Sequence, residues 1–414
     1  MNPFTYAFIG ALIFTLALRW MLSMRHLRHV ARHRDAVPEA FAGTISLAAH
    51  QKAADYTTAK TRLGLFQALA DTVLVAVLTL GGGLDALQWL SANLAGGELS
   101  RGILLIALVA GVSMLVSLPF GLYTTFGIER RFGFNRMTFR LWLADAIKGL
   151  LLGALIGLPL AGVILFLMQA SGSLWWLYAW LVWSGFSLLM LVLYPTFIAP
   201  LFNRFTPLAQ GALRARIEAL LARTGFASNG IFVMDGSRRS SHGNAYFTGM
   251  GRAKRIVFFD TLLKELDDEE IEAVLAHELG HFRRRHITQR MLFSFALTLG
   301  FLYLLGQLLD QAWFYAGLGV SQPGTAVALV LFTLVMPVFT FVFTPLSSLL
   351  SRRHEYEADA FAATEARADA LVSALVKLYR DNASTLTPDP MHSAFYDSHP
   401  PAALRIGHLK GLNA

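Results

Sequence analysis

An all-α, multi-pass membrane protein with a small α+β domain on one membrane face is the fold class predicted by three observations. The first is composition: of 414 residues, 55% are hydrophobic and only 15% charged, with a mean hydropathy of +0.50. Soluble domains carry about a quarter charged residues, so this is membrane composition. The second is the presence of seven stretches long enough to cross a hydrocarbon core, which takes about 20 mostly apolar residues. The third is an asymmetric distribution of Lys and Arg between the loops, the pattern that orients membrane helices.

The expected spans are 4 to 22, 64 to 90, 102 to 126, 141 to 169, 174 to 197, 288 to 314 and 324 to 348. The first lacks a basic n-region and is followed by six more, so it reads as an uncleaved span rather than a signal peptide. Arg25, Arg28, Arg32, Arg34, Lys52, Lys60 and Arg62 lie between spans one and two, and Arg130, Arg131, Arg136 and Arg140 between three and four. The opposite loops, 91 to 101, 170 to 173 and 315 to 323, hold a single basic residue, Arg101. The N-terminus is therefore expected outside and the C-terminus in the cytoplasm.

Four regions follow: a membrane domain, 1 to 197; a cytoplasmic segment, 198 to 287; spans six and seven, 288 to 348; and a tail, 349 to 414. The second and fourth are separated by two crossings, so they share a membrane face. Within spans, Arg19 and Asp310 are read as snorkelling near span ends. Asp145 and Lys148, three apart, are read as a local ion pair or the wall of a wet cavity. The net charge of +8 belongs to the inner loops, and nucleic acid is not an expected partner, since no base-reading module is visible. The lipid bilayer is.

In the cytoplasmic segment, LAQGALRARIEALLART at 208 to 224 has Leu213, Ile217, Leu220 and Leu221 on one helical face. Strand-like pieces follow at 230 to 235, 244 to 249 and 255 to 260. Asp267 then reads as an N-cap with Glu270 completing a capping box. From there EEIEAVLAHELGHFRRRH is expected to run as one helix into span six.

Chemistry concentrates in that helix. No cysteine occurs, which excludes thiolate metal sites and cysteine nucleophiles, so a metal would be held by imidazole and carboxylate. His277 and His281, four apart, project from one face, and Glu278 stands beside the first. An arbitrary His pair at this spacing is usually surface decoration, but a full HExxH arises by chance in only about 1% of chains with this His and Glu content. Two imidazoles one turn apart suit Zn²⁺, and a glutamate next to the first can act as general base on an attacking water. A third ligand is required. SRRHEYEADAFA at 351 to 362 offers Glu355, with Asp359 one turn on to accept a hydrogen bond from a ligand imidazole. The bland alternative is that Glu355, Glu357 and Asp359 pair with Arg352 and Arg353 on a solvated face.

At this point the chain resembles a known family, the type 1 CAAX prenyl endopeptidases, integral-membrane zinc metalloproteases of the gluzincin type. The matching stretches include DYTTAK at 55 to 60, IERRFGFNRMT at 128 to 138, YPTFIAPLFNRFTPL at 194 to 208, SSHGNAYFTG at 240 to 249, RIVFFDTLL at 255 to 263, VLAHELGHF at 274 to 282, RRHEYEADAFA at 352 to 362 and SAFYDSHPP at 393 to 401. The resemblance implies seven spans around a polar intramembrane chamber and one Zn²⁺ on His277, His281 and Glu355, with Glu278 as base. It also implies His399 beside the metal as an oxyanion stabiliser, Arg405 as a supporting residue, and Asn244 and Ala245 as the strand edge that pairs with a peptide. Where the family commonly has an acidic residue before that arginine, this chain has Leu404. His242, His286, His354 and His392 are expected at the surface or behind the ligands.

The implied activity is hydrolysis of a peptide or membrane-protein substrate, a prenylated CAAX peptide among the options. Arg outnumbers Lys 28 to 7, which points to a GC-rich bacterial host, a cytoplasmic-membrane location and a role in membrane-protein quality control. Two rivals are weighed. Site-2 type proteases bury HExxH in a span and use a later LDG, which does not occur here. A transporter or receptor-like bundle with a structural metal site would have no use for Glu278.

Overall fold

The computed structural model describes residues 2–249 and 254–412. Seven helical segments in it are long and apolar enough to cross a membrane. They are built from α1 (Pro3–Arg32), α2 (Leu47–Leu78), α4 (Glu98–Leu122), α5 (Phe139–Ala170), α6 (Trp175–Leu193), α10 (His286–Leu308) and the pair α12 (Thr325–Thr340) and α13 (Thr344–Glu365). Short helices α3 (Gly83–Leu94) and α11 (Ala312–Gly317) connect spans at the end that carries the N-terminus.

The expected second span was too long on one side and too short on the other. Its helix starts at Leu47 and stops at Leu78, because Gly82 adopts φ +74° and the chain turns into α3. A Cβ at Gly81 would lie 2.9 Å from the Val77 Cα, so this tight reversal depends on glycine.

Burial along the bundle is uneven. Five spans, the second to the sixth, bury only 6 to 11% of their most apolar window, whereas the seventh buries 50%. These five therefore leave most of their apolar surface uncovered by protein, while the seventh leans into the core. Phe8, Leu84, Leu105, Leu165, Leu305 and Leu331 close the bundle into an apolar core.

The domain on the opposite face is α+β. A four-stranded sheet, order β1-β2-β4-β3, joins β1 (Phe205–Pro207), β2 (Ile231–Met234), β3 (Ala245–Thr248) and β4 (Arg255–Phe259). Only β2 and β4 run parallel. The strand β1 lies outside the three expected strand pieces; it is three residues long and bounded by Pro207, too short for an alternation to show. Around the sheet pack α7 (Ala212–Thr224), α8 (Leu262–Glu265), α9 (Asp268–Arg283), α14 (Ala368–Asp381), α15 (Pro390–Tyr396) and α16 (Ala402–Leu412). The amphipathic helix α7 starts four residues later than expected, after Gly211, and buries Ile217, Leu220 and Leu221.

Three further expectations are corrected. The motif helix does not run unbroken into span six: α9 ends at Arg283, and Arg285 adopts φ +59° before α10 begins at His286. Asp145 and Lys148 do not pair with each other; Asp145 accepts from Arg239 at 2.9 Å, and Lys148 donates to the Leu201 carbonyl at 2.9 Å. Both thus fasten span four to the segment that follows span five. Arg19 does not snorkel outward. Its Nε is buried without a hydrogen-bond partner among the described residues, and its guanidinium lies 4.6 Å over the Phe341 ring.

Candidate metalloprotease site

The site begins with a capped helix. Asp267 accepts from the backbone N–H of Glu269 and Glu270, while Glu270 accepts from the Asp267 N–H at 2.9 Å, completing the expected box. Glu270 does more than cap: buried, it also accepts from Ser373 at 2.7 Å and Lys377 at 2.6 Å, which ties the start of α9 to α14. A cap contributes about 1 kcal/mol; here it also sets the pitch at which His277 and His281 face inward.

Opposite lies α13, the continuation of span seven. The two helices approach closely at Gly280, where a Cβ would meet the Ala358 Cα at 2.9 Å and its carbonyl oxygen at 3.0 Å. This approach brings Glu355 between the imidazoles. Its Oε2 is 3.4 Å from His277 Nε2, and its Oε1 is 3.3 Å from His281 Nε2. One ligand atom from each of the three lies within 4.8 Å of the others. Glu355 Oε2 is buried yet accepts no hydrogen bond among the described residues. A carboxylate oxygen left so in the interior is costly unless a cation satisfies it.

The outer contacts fix both rings. His277 Nδ1 donates to Asp359 Oδ1 at 2.8 Å, leaving its Nε2 lone pair directed at Glu355. Asp359, fully buried, also accepts two bonds from Arg405, at 2.9 and 2.5 Å. Arg405 is therefore within the site although Leu404 before it points to solvent, 58% exposed. The solvated-face alternative holds only for Glu357, which accepts from Arg353 at 2.9 Å.

Behind the second imidazole stands a contact that spacing did not reveal. His281 Nδ1 lies 3.0 Å from His286 Nδ1, and His286 Nε2 lies 3.1 Å from Glu357 Oε2. One tautomer set satisfies all three: His281 Nδ1–H donates to His286, and His286 Nε2–H donates to Glu357. His281 Nε2 is then free, as a ligand requires. The break at Arg285 makes this possible by turning His286 back toward α9, and His354 stacks on it at 4.0 Å. The only sequence signal was a third histidine just past the motif.

Glu278, Asn244, Ala245, His277, His399 and Arg405 all line one cavity of about 800 Å³. Burial pushes the Glu278 carboxyl above the usual glutamate range, with the neighbouring His277 and His281 acting against it. Upward is the direction a general base working near neutrality needs. His399 Nε2 faces the same group, 3.5 Å from Glu355 Oε1, and its Nδ1 is 2.9 Å from Ser398 Oγ. On the sheet, β3 is the outer strand. Asn244 turns its carbonyl to Phe259 N–H in β4, so the polar groups of Ala245 face the open edge, where, among the described residues, its N–H meets only the Asn244 Oδ1 at 2.8 Å.

A second network holds the loop before β3. Tyr56 donates to Glu129 Oε1, Glu129 Oε2 lies 3.3 Å from His242 Nε2, and His242 Nδ1 lies 3.1 Å from Asn382 Oδ1. His242 and His392 also line the cavity. DYTTAK, IERRFGF and SSHGNAYF, far apart in the chain, each supply one member of this network.

Comparisons with known proteins agree along the whole chain. Residues 26–204 match the family described as CAAX prenyl protease N-terminal, five membrane helices, and residues 207–413 match peptidase family M48. A CAAX prenyl protease 1 homolog of Arabidopsis thaliana is 36% identical over 99% of this chain and 98% of its own. The homolog of Homo sapiens is 31% identical over 93% and 91%. The crystal structure of S. mikatae Ste24p superposes with a TM-score of 0.91 at 31% identity, covering 99% of each chain. A membrane bundle closed over a histidine–glutamate metal-ligand set, with matches of this extent, makes the chain a member of the CAAX prenyl protease 1 family, a multi-pass membrane metalloendopeptidase of peptidase family M48.

Proposed function

We propose that this enzyme is a zinc-dependent endopeptidase whose catalytic machinery is His277, His281 and Glu355 as ligands, Glu278 as base, and His399 as oxyanion donor. The observation that carries this is the pair of distances from Glu355 to the two imidazole Nε2 atoms, 3.4 and 3.3 Å. Those distances run from the two different carboxylate oxygens, so Glu355 spans both imidazoles; one ligand atom from each of the three residues lies within 4.8 Å of the others, and an all-N/O set without thiolate suits zinc. Zinc held by these three residues would supply Lewis-acid chemistry, making the attacking water more acidic and the scissile carbonyl more electrophilic.

The chain's own residues do the rest. An extended peptide lies along the open edge at Asn244 and Ala245, pairing with the Ala245 backbone by β-augmentation. Glu278 takes the proton of the attacking water and passes it to the departing amine. With Ser398 Oγ–H donating to His399 Nδ1, the His399 hydrogen sits on Nε2, aimed where oxyanion charge develops. Asp359 with Arg405, and His286 with Glu357, hold the two ligand rings in the tautomers they need.

The loop charges support an outside N-terminus and a cytoplasmic catalytic domain. A bacterial cytoplasmic membrane as host rests on the Arg excess alone. For substrate, a second cavity of about 800 Å³ borders His281 and is walled by Leu191, Phe226, Phe247, Phe282 and Met291. An apolar wall beside the metal ligands supports a peptide carrying a prenyl or other hydrophobic group.

The test is the Glu278→Gln protein. Peptide cleavage should fall by about 10²- to 10⁴-fold, with one zinc per chain retained by elemental analysis. Activity near that of the unaltered enzyme would remove Glu278 as base.

A further inference from the structure

Where span six meets the α+β domain, three cations gather without an acid between them. The cavity of about 800 Å³ that borders His281 is rimmed by Lys254, Arg283 and Arg285, and no Asp or Glu among the described residues lines it. Its membrane side is formed by Leu191 of α6 and by Ile287 and Met291 of α10. None of the three cations has a carboxylate within 4.0 Å among the described residues, whereas nearby Arg353 donates to Glu357 at 2.9 Å, Arg290 to Ser351 Oγ at 3.2 Å and Arg352 to the Asp397 carbonyl at 3.2 Å.

The fold sets these positions. Lys254 Nζ is held 3.7 Å over the Phe282 ring and 4.9 Å over that of Phe226. On an unbroken helix Arg283 and Arg285 would project about 200° apart, to opposite sides. The left-handed turn at Arg285, φ +59°, brings both onto one cavity. A hydrophobic substrate group on the apolar wall carries no charge and leaves this rim unmatched.

We propose that the rim binds the phosphate of an anionic phospholipid, whose acyl chains run along Leu191, Ile287 and Met291 into the bilayer. Place and charge both support this. Arg283 and Arg285 stand where span six leaves the α+β domain, the depth of lipid headgroups. Basic residues there attract anionic lipids, while the ammonium of a zwitterionic headgroup offsets its own phosphate. A water-soluble phosphate would make no use of the apolar wall. The inference is independent of the protease reading, because binding is read without turnover.

The experiment titrates the detergent-solubilised full-length protein with dioleoylphosphatidylglycerol or dioleoylphosphatidylcholine and measures retained lipid by native mass spectrometry. One phosphatidylglycerol should be held at least about tenfold more tightly than phosphatidylcholine. A basic residue at a membrane surface contributes about fivefold, so Lys254→Met alone should weaken phosphatidylglycerol by that factor, and Lys254→Arg should not. Lys254→Met, Arg283→Gln and Arg285→Asn together should erase the preference; asparagine tolerates the left-handed backbone at this position. A control, Arg130→Gln with Arg131→Gln and Arg140→Gln, removes three exposed cations from another loop and should bind like the unaltered protein. Equal retention of the two lipids, or an unchanged preference in Lys254→Met or in the triple variant, overturns the proposal. A loss as large in the control reduces the effect to general attraction and overturns the site. Displacement of phosphatidylglycerol by an equal concentration of glycerol 3-phosphate overturns the lipid assignment in favour of a soluble phosphate.

Discussion

Arg405 grips Asp359 with two nitrogens, at 2.9 and 2.5 Å, in a spot where neither side chain meets solvent to any extent. Removing one partner of a buried pair strands the other charge, at a cost of about 3–5 kcal/mol. Arg405→Met should therefore lower the melting temperature and weaken metal retention together, because Asp359 also orients His277. Thermal unfolding and a chelator titration measure the two effects. A variant with normal metal affinity would show that Asp359 holds His277 unaided.

His286 should behave as a positioning residue for His281. His286→Ala removes the acceptor for His281 Nδ1–H, and loss of such an outer contact commonly costs 10- to 100-fold in metal affinity. His286→Asn, which can still offer an oxygen at that place, should recover part of it. Equal affinity in all three proteins would reduce the 3.0 Å contact to packing.

Gly280→Ala tests the helix contact itself. The added methyl would sit 2.9 Å from the Ala358 Cα, and backbone cannot yield as a side-chain tip can. Overpacking of this kind costs about 1–3 kcal/mol. Here it also separates His277 and His281 from Glu355, so metal affinity should fall further than stability alone explains. A fully metallated, fully active Gly280→Ala protein would contradict the close approach.

Acid should weaken the fold through His392. Burial pushes this imidazole down to about 4, and it stacks on His26 at 4.0 Å. The folded value lies below the unfolded one of about 6.5. The unfolded chain therefore binds the proton first, and the stability from this group, complete above about 6.5, is lost as pH falls toward 4. Melting curves at pH 7 and 5 should show a smaller decrease for His392→Gln than for the unaltered protein. Parallel decreases would assign the acid sensitivity elsewhere.

Much of this was legible because it is local. The spacing of His277, Glu278 and His281, the box of Asp267 and Glu270, and the Glu355–Asp359 turn are each written within five residues. Span-length runs of apolar residues are equally plain. What escaped depends on chain meeting chain. The role of His286 needs the left-handed Arg285 that folds it back, and no propensity places an arginine at φ +59°. Asp145 looked toward Lys148 because both lie on one helix, whereas its partner Arg239 is 94 positions away. The Tyr56–Glu129–His242 network joins α2, the end of span three and the loop before β3, a convergence that only the assembled fold displays.

The break between α9 and α10 bears on assembly. His277 and His281 stand at the doorstep of span six, and Glu355 lies within the helical extension of span seven. Neither half is complete until both crossings have been threaded through the bilayer and their ends meet. A metal held by His277, His281 and Glu355 would thus clasp a finished membrane hairpin, and a chain halted midway through insertion would lack one side of the site.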